Sequence, residues 1–116
     1  MNDQPLSPLP NPVKAHHPGE IWELDNGRLG VVVSSRIYNE SRFGAVVVCS
    51  ISAPPGPQQH RPLVVPVGLN EHGAEVAVYV DRISQVPTAW LIQPRGSLAP
   101  ALLAEVDRHL ETLFMR

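Results

Sequence analysis

The chain has 116 residues and a single cysteine, Cys49. No internal disulfide can form, and nothing points to an oxidising compartment. Cys49 follows Val46-Val47-Val48, a setting in which a thiol acts as a small buried hydrophobe. Lysine is as scarce: Lys14 is the only one, and every other basic residue is arginine. An excess of positive charge is also missing, because nine basic and eleven acidic residues leave a formal charge of −2. That argues against a protein gripping long duplex DNA through many phosphates. It leaves room for a short single-stranded substrate held by a few arginines. Arginine is the better bidentate phosphate ligand, but a GC-rich genome gives the same bias, so the bias alone carries no argument. No Cys/His spacing of a zinc site is present, and His16-His17, the nearest approach to a metal pair, reads as part of a solvated tail. Neither a metal nor a cofactor is expected. No run approaches the roughly 20 apolar residues that a membrane helix needs. The first residues do not combine a basic segment with an apolar run, so a cytoplasmic location is expected. No internal repeat stands out.

What is present fits one soluble domain: 43% of residues are apolar and the mean hydropathy is near zero, with enough length for one core. Residues 1–17 carry Pro5, Pro8, Pro10 and Pro12 among small and polar residues, which reads as a disordered or extended leader. The domain is expected over 18–116. Glu20 to Leu24 reads as a strand around Ile21 and Trp22. Asn26-Gly27 then gives a hairpin signal of the type I′ kind, in which both central residues take positive φ. Leu29 to Val33 is a second strand and Tyr38 to Ser41 a loop. Ala45 to Ser52 is a third strand, closed by Pro54-Pro55-Gly56-Pro57. Pro62 to Leu69 is a fourth, with Pro66 favouring an edge or a bulge. Val76 to Val80 is a fifth, apolar throughout and therefore central. A short segment from Ile83 to Leu91 follows.

The last element is a helix: Ser97 is placed to cap it, Pro100 suits its first turn, and Leu103, Val106, Leu110 and Leu113 recur at helical spacing. Packing against a sheet accounts for that stripe without a cofactor role. Short strands followed by one helix predict a mostly β fold, a compact barrel-like sheet with helical packing.

Particular residues then match a known family. Pro18-Gly19-Glu20-Ile21-Trp22 resembles the opening strand of MazF/PemK-type toxins, the growth-inhibiting members of bacterial toxin–antitoxin pairs. Arg28 followed by Leu29-Gly30-Val31-Val32-Val33-Ser34 is similar to the family's second strand, and Tyr38-Asn39 to its aromatic-Asn pair. Val47-Val48-Cys49-Ser50-Ile51-Ser52 resembles its third strand, and Val80-Asp81-Arg82-Ile83 a stretch with an Asp-x-(Ile/Leu) core. Gly96-Ser97-Leu98-Ala99-Pro100 through Val106 looks like the lead into its terminal helix. The likeness runs from about Gly19 to Phe114. No single motif is specific; their order and spacing carry it.

The resemblance implies a small SH3-like β-barrel of the MazF/CcdB type and a homodimer. It implies metal-independent cleavage of single-stranded RNA (an mRNA interferase), and an antitoxin protein that covers the RNA groove. It also implies roles. Arg28 matches the family's active-site arginine, where a guanidinium fork holds a phosphate; by local pattern alone it is a solvated hairpin charge. Ser52 falls at the usual catalytic threonine. Ser50 falls at the usual proline and, by strand alternation, shares a face with Ser52. Both serines equally suit a strand end beside a proline-rich loop. Asp81 matches an acidic position near the RNA, or caps a turn. Three departures stand out: Asp25-Asn26-Gly27 replaces a long first loop, Leu29 replaces a proline, and Ser50 replaces another. They keep open a non-catalytic toxin of the CcdB kind that binds a protein partner, or a degenerate relative, since fold does not decide function.

Overall fold

The computed structural model describes residues 16–41, 44–56 and 63–115. Most of the expected leader lies outside the described residues. Its last two residues do not: the His16 imidazole meets the Glu20 carboxylate at 3.2 Å and stands edge-on to Trp22.

Among the described residues six strands form one antiparallel sheet: β1 Glu20–Leu24, β2 Leu29–Val32, β3 Ala45–Ser52, β4 Val64–Leu69, β5 Glu75–Pro87 and β6 Leu91–Ser97. Their spatial order is β4-β5-β3-β2-β1-β6. One helical turn, α1 (Arg36–Asn39), links β2 to β3, a 3₁₀ turn (Thr88–Trp90) links β5 to β6, and α2 (Pro100–Phe114) ends the chain. The sheet is coiled enough for its two edges to face each other. Val67 and Leu69 of β4 and Arg95 to Ser97 of β6 line one cavity of about 360 Å³. Arg95 closes the gap by reaching Glu71 at 3.3 Å in the β4–β5 turn.

Alternation along the valine-rich strands sends side chains to two separate clusters. Val31, Cys49, Ile51, Val65, Val78 and Val80 pack on one face with Leu98 and Val106, joined by Leu102, Leu103 and Leu110 of α2. Each fully buried valine there stabilises by roughly 1.5 kcal/mol relative to exposure. On the opposite face Val32, Val46, Val48, Val86 and Leu91 cluster with Trp22 and Leu24. Gly19 joins strand to helix. Its φ is +96°, and a Cβ there would stand 3.2 Å from Leu103 Cδ2, so only glycine fits without a shift.

Several local expectations are corrected. The β1–β2 hairpin is present, but among the described residues none other than glycine has positive φ, which excludes a type I′ turn. The Gly27 amide donates to the Leu24 carbonyl, and the Leu24 amide to the Arg28 carbonyl. With Gly27 at φ +82°, this is a three-residue loop with a left-handed glycine at its end. Asn70 to Ala74 repeats the same pattern. The expected loop at Tyr38 is the helical turn α1, capped by Ser35 Oγ accepting from the Tyr38 amide. Ser97 does not cap α2; it ends β6, and Ala99 is the N-cap without a side-chain bond, with Pro100 following it. β4 is an edge strand and its pairing slips between Pro66 and Gly68, as the proline requires. β5 is much longer than its apolar run, and β6 is a full strand.

Asn39 is the one buried polar residue among those described, at 8% exposure. Its Nδ2 donates to the carbonyls of His16 (2.7 Å) and Ser34 (3.1 Å), and its Oδ1 accepts from the Ser34 hydroxyl. The Ser34 oxygen in turn accepts from the Val47 amide at 3.0 Å. Through this node the end of β2, the start of β3 and the segment entering β1 are held together.

Candidate active site

The hairpin that opens the domain sets the position of Arg28. Its amide donates to Asn26 Oδ1 at 2.9 Å, and the left-handed Gly27 turns the chain so that β2 starts at once. β2 pairs with β3 in the register Leu29↔Ile51 and Gly30↔Ser50. One step further back, Arg28 falls opposite Ser52, with Ser50 two residues along the same strand. The face follows from alternation. Cys49 and Ile51 belong to the cluster under α2, whereas Val46 and Val48 belong to the opposite one. Ser50 and Ser52 therefore lie on the face turned away from the helix, and Arg28 and Gly30 share it with Val32. Arg28 and Ser52 are exposed and Ser50 is half-buried.

Gly30 shapes the ground between them. A Cβ there would meet Val48 Cβ at 3.3 Å and Leu24 Cδ1 at 3.5 Å. The space a side chain would take is filled by Val48 and Leu24, so the buried Gly30 lets these two apolar side chains close over β2 beside Ser50.

The other flank of β3 is built by β5. Ser50 pairs with Tyr79 and Ser52 with Ala77, while Cys49 pairs with Ile83. The three residues Val80 to Arg82 thus form a bulge beside the Cys49–Ser50 step. Asp81 sits in that bulge, exposed. It is close enough to act on Cys49, whose thiol is pushed up to about 12, first by burial and then by the Asp81 charge. Tyr79 is 4% exposed, and its hydroxyl donates to the Ala53 carbonyl at 2.5 Å. That bond fixes the chain immediately after Ser52. The Arg82 guanidinium lies over the Tyr79 ring, 4.4 Å from its centroid.

The four residues singled out by sequence thus collect around one stretch of β3: Arg28 on one side, Ser50 and Ser52 in the middle, Asp81 on the other. Tyr79, Arg82 and Gly30 were not singled out. In a regular strand Arg82 would alternate with Val78 and Val80 and point into the core. Only the bulge, which no sequence period announces, takes it to the other face. The cavity between β4 and β6 includes none of these groups. Among the described residues no three His, Cys, Asp or Glu side chains cluster as metal ligands.

Such an arrangement offers a guanidinium and two hydroxyls on one face of the sheet, with a carboxylate in the adjoining bulge, which suits the binding of a phosphodiester. Comparison with solved structures returns the same architecture. One is an endoribonuclease in complex with its cognate antitoxin from mycobacterial species. It is 21% identical, with a TM-score of 0.73, over 88% of this chain and 98% of that one. A MazE–MazF complex from Deinococcus radiodurans matches at 22% identity and TM-score 0.68, covering 87% and 96%. The Mycobacterium tuberculosis toxin MazF-mt6 matches at 20% identity and TM-score 0.65, covering 84% and 96%. At these identities the likeness is one of fold. Comparison with curated proteins gives no match. A family model does match in sequence over residues 15–114, and by that match the chain belongs to the PemK-like, MazF-like toxins of type II toxin–antitoxin systems.

Proposed function

We propose that this toxin is an endoribonuclease that cuts single-stranded RNA by internal transesterification, without a metal, at the face carrying Arg28 and Ser52. The observation that supports the reading is the β2–β3 register Leu29↔Ile51: continued one residue beyond β2, it runs the exposed Arg28 opposite the exposed Ser52. In the reaction the ribose 2′-oxygen attacks the adjacent phosphorus and forms the new P–O2′ bond. The P–O5′ bond breaks, leaving a 2′,3′-cyclic phosphate and a free 5′-hydroxyl. One proton leaves the 2′-hydroxyl and one is delivered to the 5′-oxygen, so no water is consumed.

The phosphorane concentrates negative charge on the non-bridging oxygens. A two-donor guanidinium at Arg28 stabilises that charge more than it stabilises the ground state. Ser52 donates to a phosphate oxygen. Ser50 and Asp81 contact the substrate, with Asp81 as the candidate proton acceptor. A cognate antitoxin covers this face and the working unit is a homodimer. A solved relative bound to its cognate antitoxin supports an antitoxin as partner.

The tight β1–β2 loop favours a second reading, in which the same fold captures a protein without cutting RNA. Incubation of purified protein with single-stranded RNA in EDTA separates the two. The nuclease reading expects cyclic-phosphate and 5′-hydroxyl ends, abolished by Arg28→Ala and reduced roughly 10- to 100-fold by Ser52→Ala. Intact RNA together with growth arrest on expression would favour the binding reading.

A further inference from the structure

Five arginines lie among the described residues, and their partners divide them. Arg36 is paired with Glu40 at 2.7 Å, and Arg95 with Glu23 and Glu71. Arg28, Arg82 and Arg108 have no carboxylate partner among the described residues. Arg108 lies on α2, on the far side of the sheet. Of the described arginines, the two of the sheet region without a carboxylate partner therefore flank the same serines, Arg28 on the β2 side and Arg82 on the β5 side.

We propose that Arg82, held over Tyr79, is a second phosphate-binding cation of this site, taking a neighbouring phosphate of the strand whose scissile phosphate lies at Arg28. The inference rests on the reading of this face as the RNA-binding one. Stacking on the Tyr79 ring satisfies one face of the guanidinium and limits its rotamers, while its five N–H donors stay free at the rim. Tyr79 is itself immobilised by burial and by its bond to the Ala53 carbonyl. The cation is thus pre-set, and little entropy is lost when a phosphate arrives. Arg28 lies opposite Ser52 and Tyr79 opposite Ser50, so two strand spacings and a two-residue offset separate them by roughly 12 Å. That is too far for one phosphate and suits two phosphates of one extended strand.

Binding is read by fluorescence anisotropy across a range of NaCl concentrations. The probe is a random-sequence pool of single-stranded 2′-O-methyl RNA, which lacks the attacking hydroxyl and cannot be cut. Arg82→Ala is expected to weaken binding roughly tenfold and to lower the slope of log K against log salt by about 0.7, the value for one phosphate contact on a single strand. Arg82→Lys is expected to keep the wild-type slope, because the charge remains. A wild-type slope in Arg82→Ala, with or without weaker binding, would overturn the inference, since a base-stacking or merely structural role leaves the slope alone. Equal melting temperatures of the three proteins exclude misfolding as the cause. RNA cleavage by wild type with no slope change removes this inference only. An Arg82-dependent slope without cleavage removes the nuclease reading only. No binding by the wild-type chain overturns both.

Discussion

Replacing Asn39 by alanine removes three hydrogen bonds at once: two donated to the carbonyls of His16 and Ser34, and one accepted from the Ser34 hydroxyl. The site is 8% exposed, so water reaches the abandoned groups poorly. At about 1 kcal/mol net per bond, and more for a carbonyl left unsatisfied, the loss comes to about 3 kcal/mol. For a domain of this size that lowers the melting temperature by roughly 10–15 °C. Asn39→Asp is expected to be at least as harmful. It keeps the acceptor for Ser34 but loses both donors and sets a negative charge beside two carbonyl oxygens. Thermal and urea unfolding followed by circular dichroism at neutral pH measure both variants. A shift below about 1 kcal/mol for Asn39→Ala would refute the reasoning, because it would mean that the node is solvated or redundant.

Three further outcomes follow from the packing. Gly19→Ala should destabilise by about 1–3 kcal/mol, since φ +96° and the 3.2 Å approach to Leu103 both oppose a Cβ; unfolding titrations check it. Cys49 is fully buried and its thiol is raised to about 12, so at pH 8 it should react with iodoacetamide only after denaturant is added. Fast labelling of the native protein would contradict that placement. Glu20 is held below the ordinary carboxylate range: burial alone would raise it, but bonds from Trp22, the His17 backbone and His16 together outweigh burial. A depressed folded value stabilises above the unfolded value and is lost as pH falls through the folded one. Glu20→Gln should therefore flatten the acid side of the stability profile below the usual carboxylate range, as measured by melting temperature against pH.

Much of this was legible in the residues. Ala45–Ser52 was readable as β3 because eight residues of valine-rich sequence end at a proline cluster. The helix was readable because Leu103, Val106 and Leu110 recur on one side, and they do pack on the core. The hairpin was legible at Asn26-Gly27, but its turn type was not. Asn-Gly suits a two-residue or a three-residue loop, and pairing across the strands decides between them. β6 was hidden because Leu91–Ser97, with Pro94 and Gly96, has little alternation and is exposed nearly throughout; its order comes from pairing with β1. For the site, the serine parity could be read from local alternation, whereas Arg28 rested on the family resemblance, its local pattern being that of a solvated hairpin charge. Arg82 could be read from neither, because a bulge set by long-range pairing reverses its face. Ser97 carries a cap-like side chain, but β6 uses its backbone to pair with Glu20, and the helix starts only at Pro100.

Cleavage in the presence of EDTA by wild type and Arg28→Ala, with the RNA ends identified by mass spectrometry, tests the site most directly. Metal-free cutting to cyclic-phosphate ends, lost in Arg28→Ala while its melting temperature is unchanged, is the result expected from an exposed arginine set opposite Ser52. Cutting that needs added metal, or that survives the loss of Arg28, would contradict it.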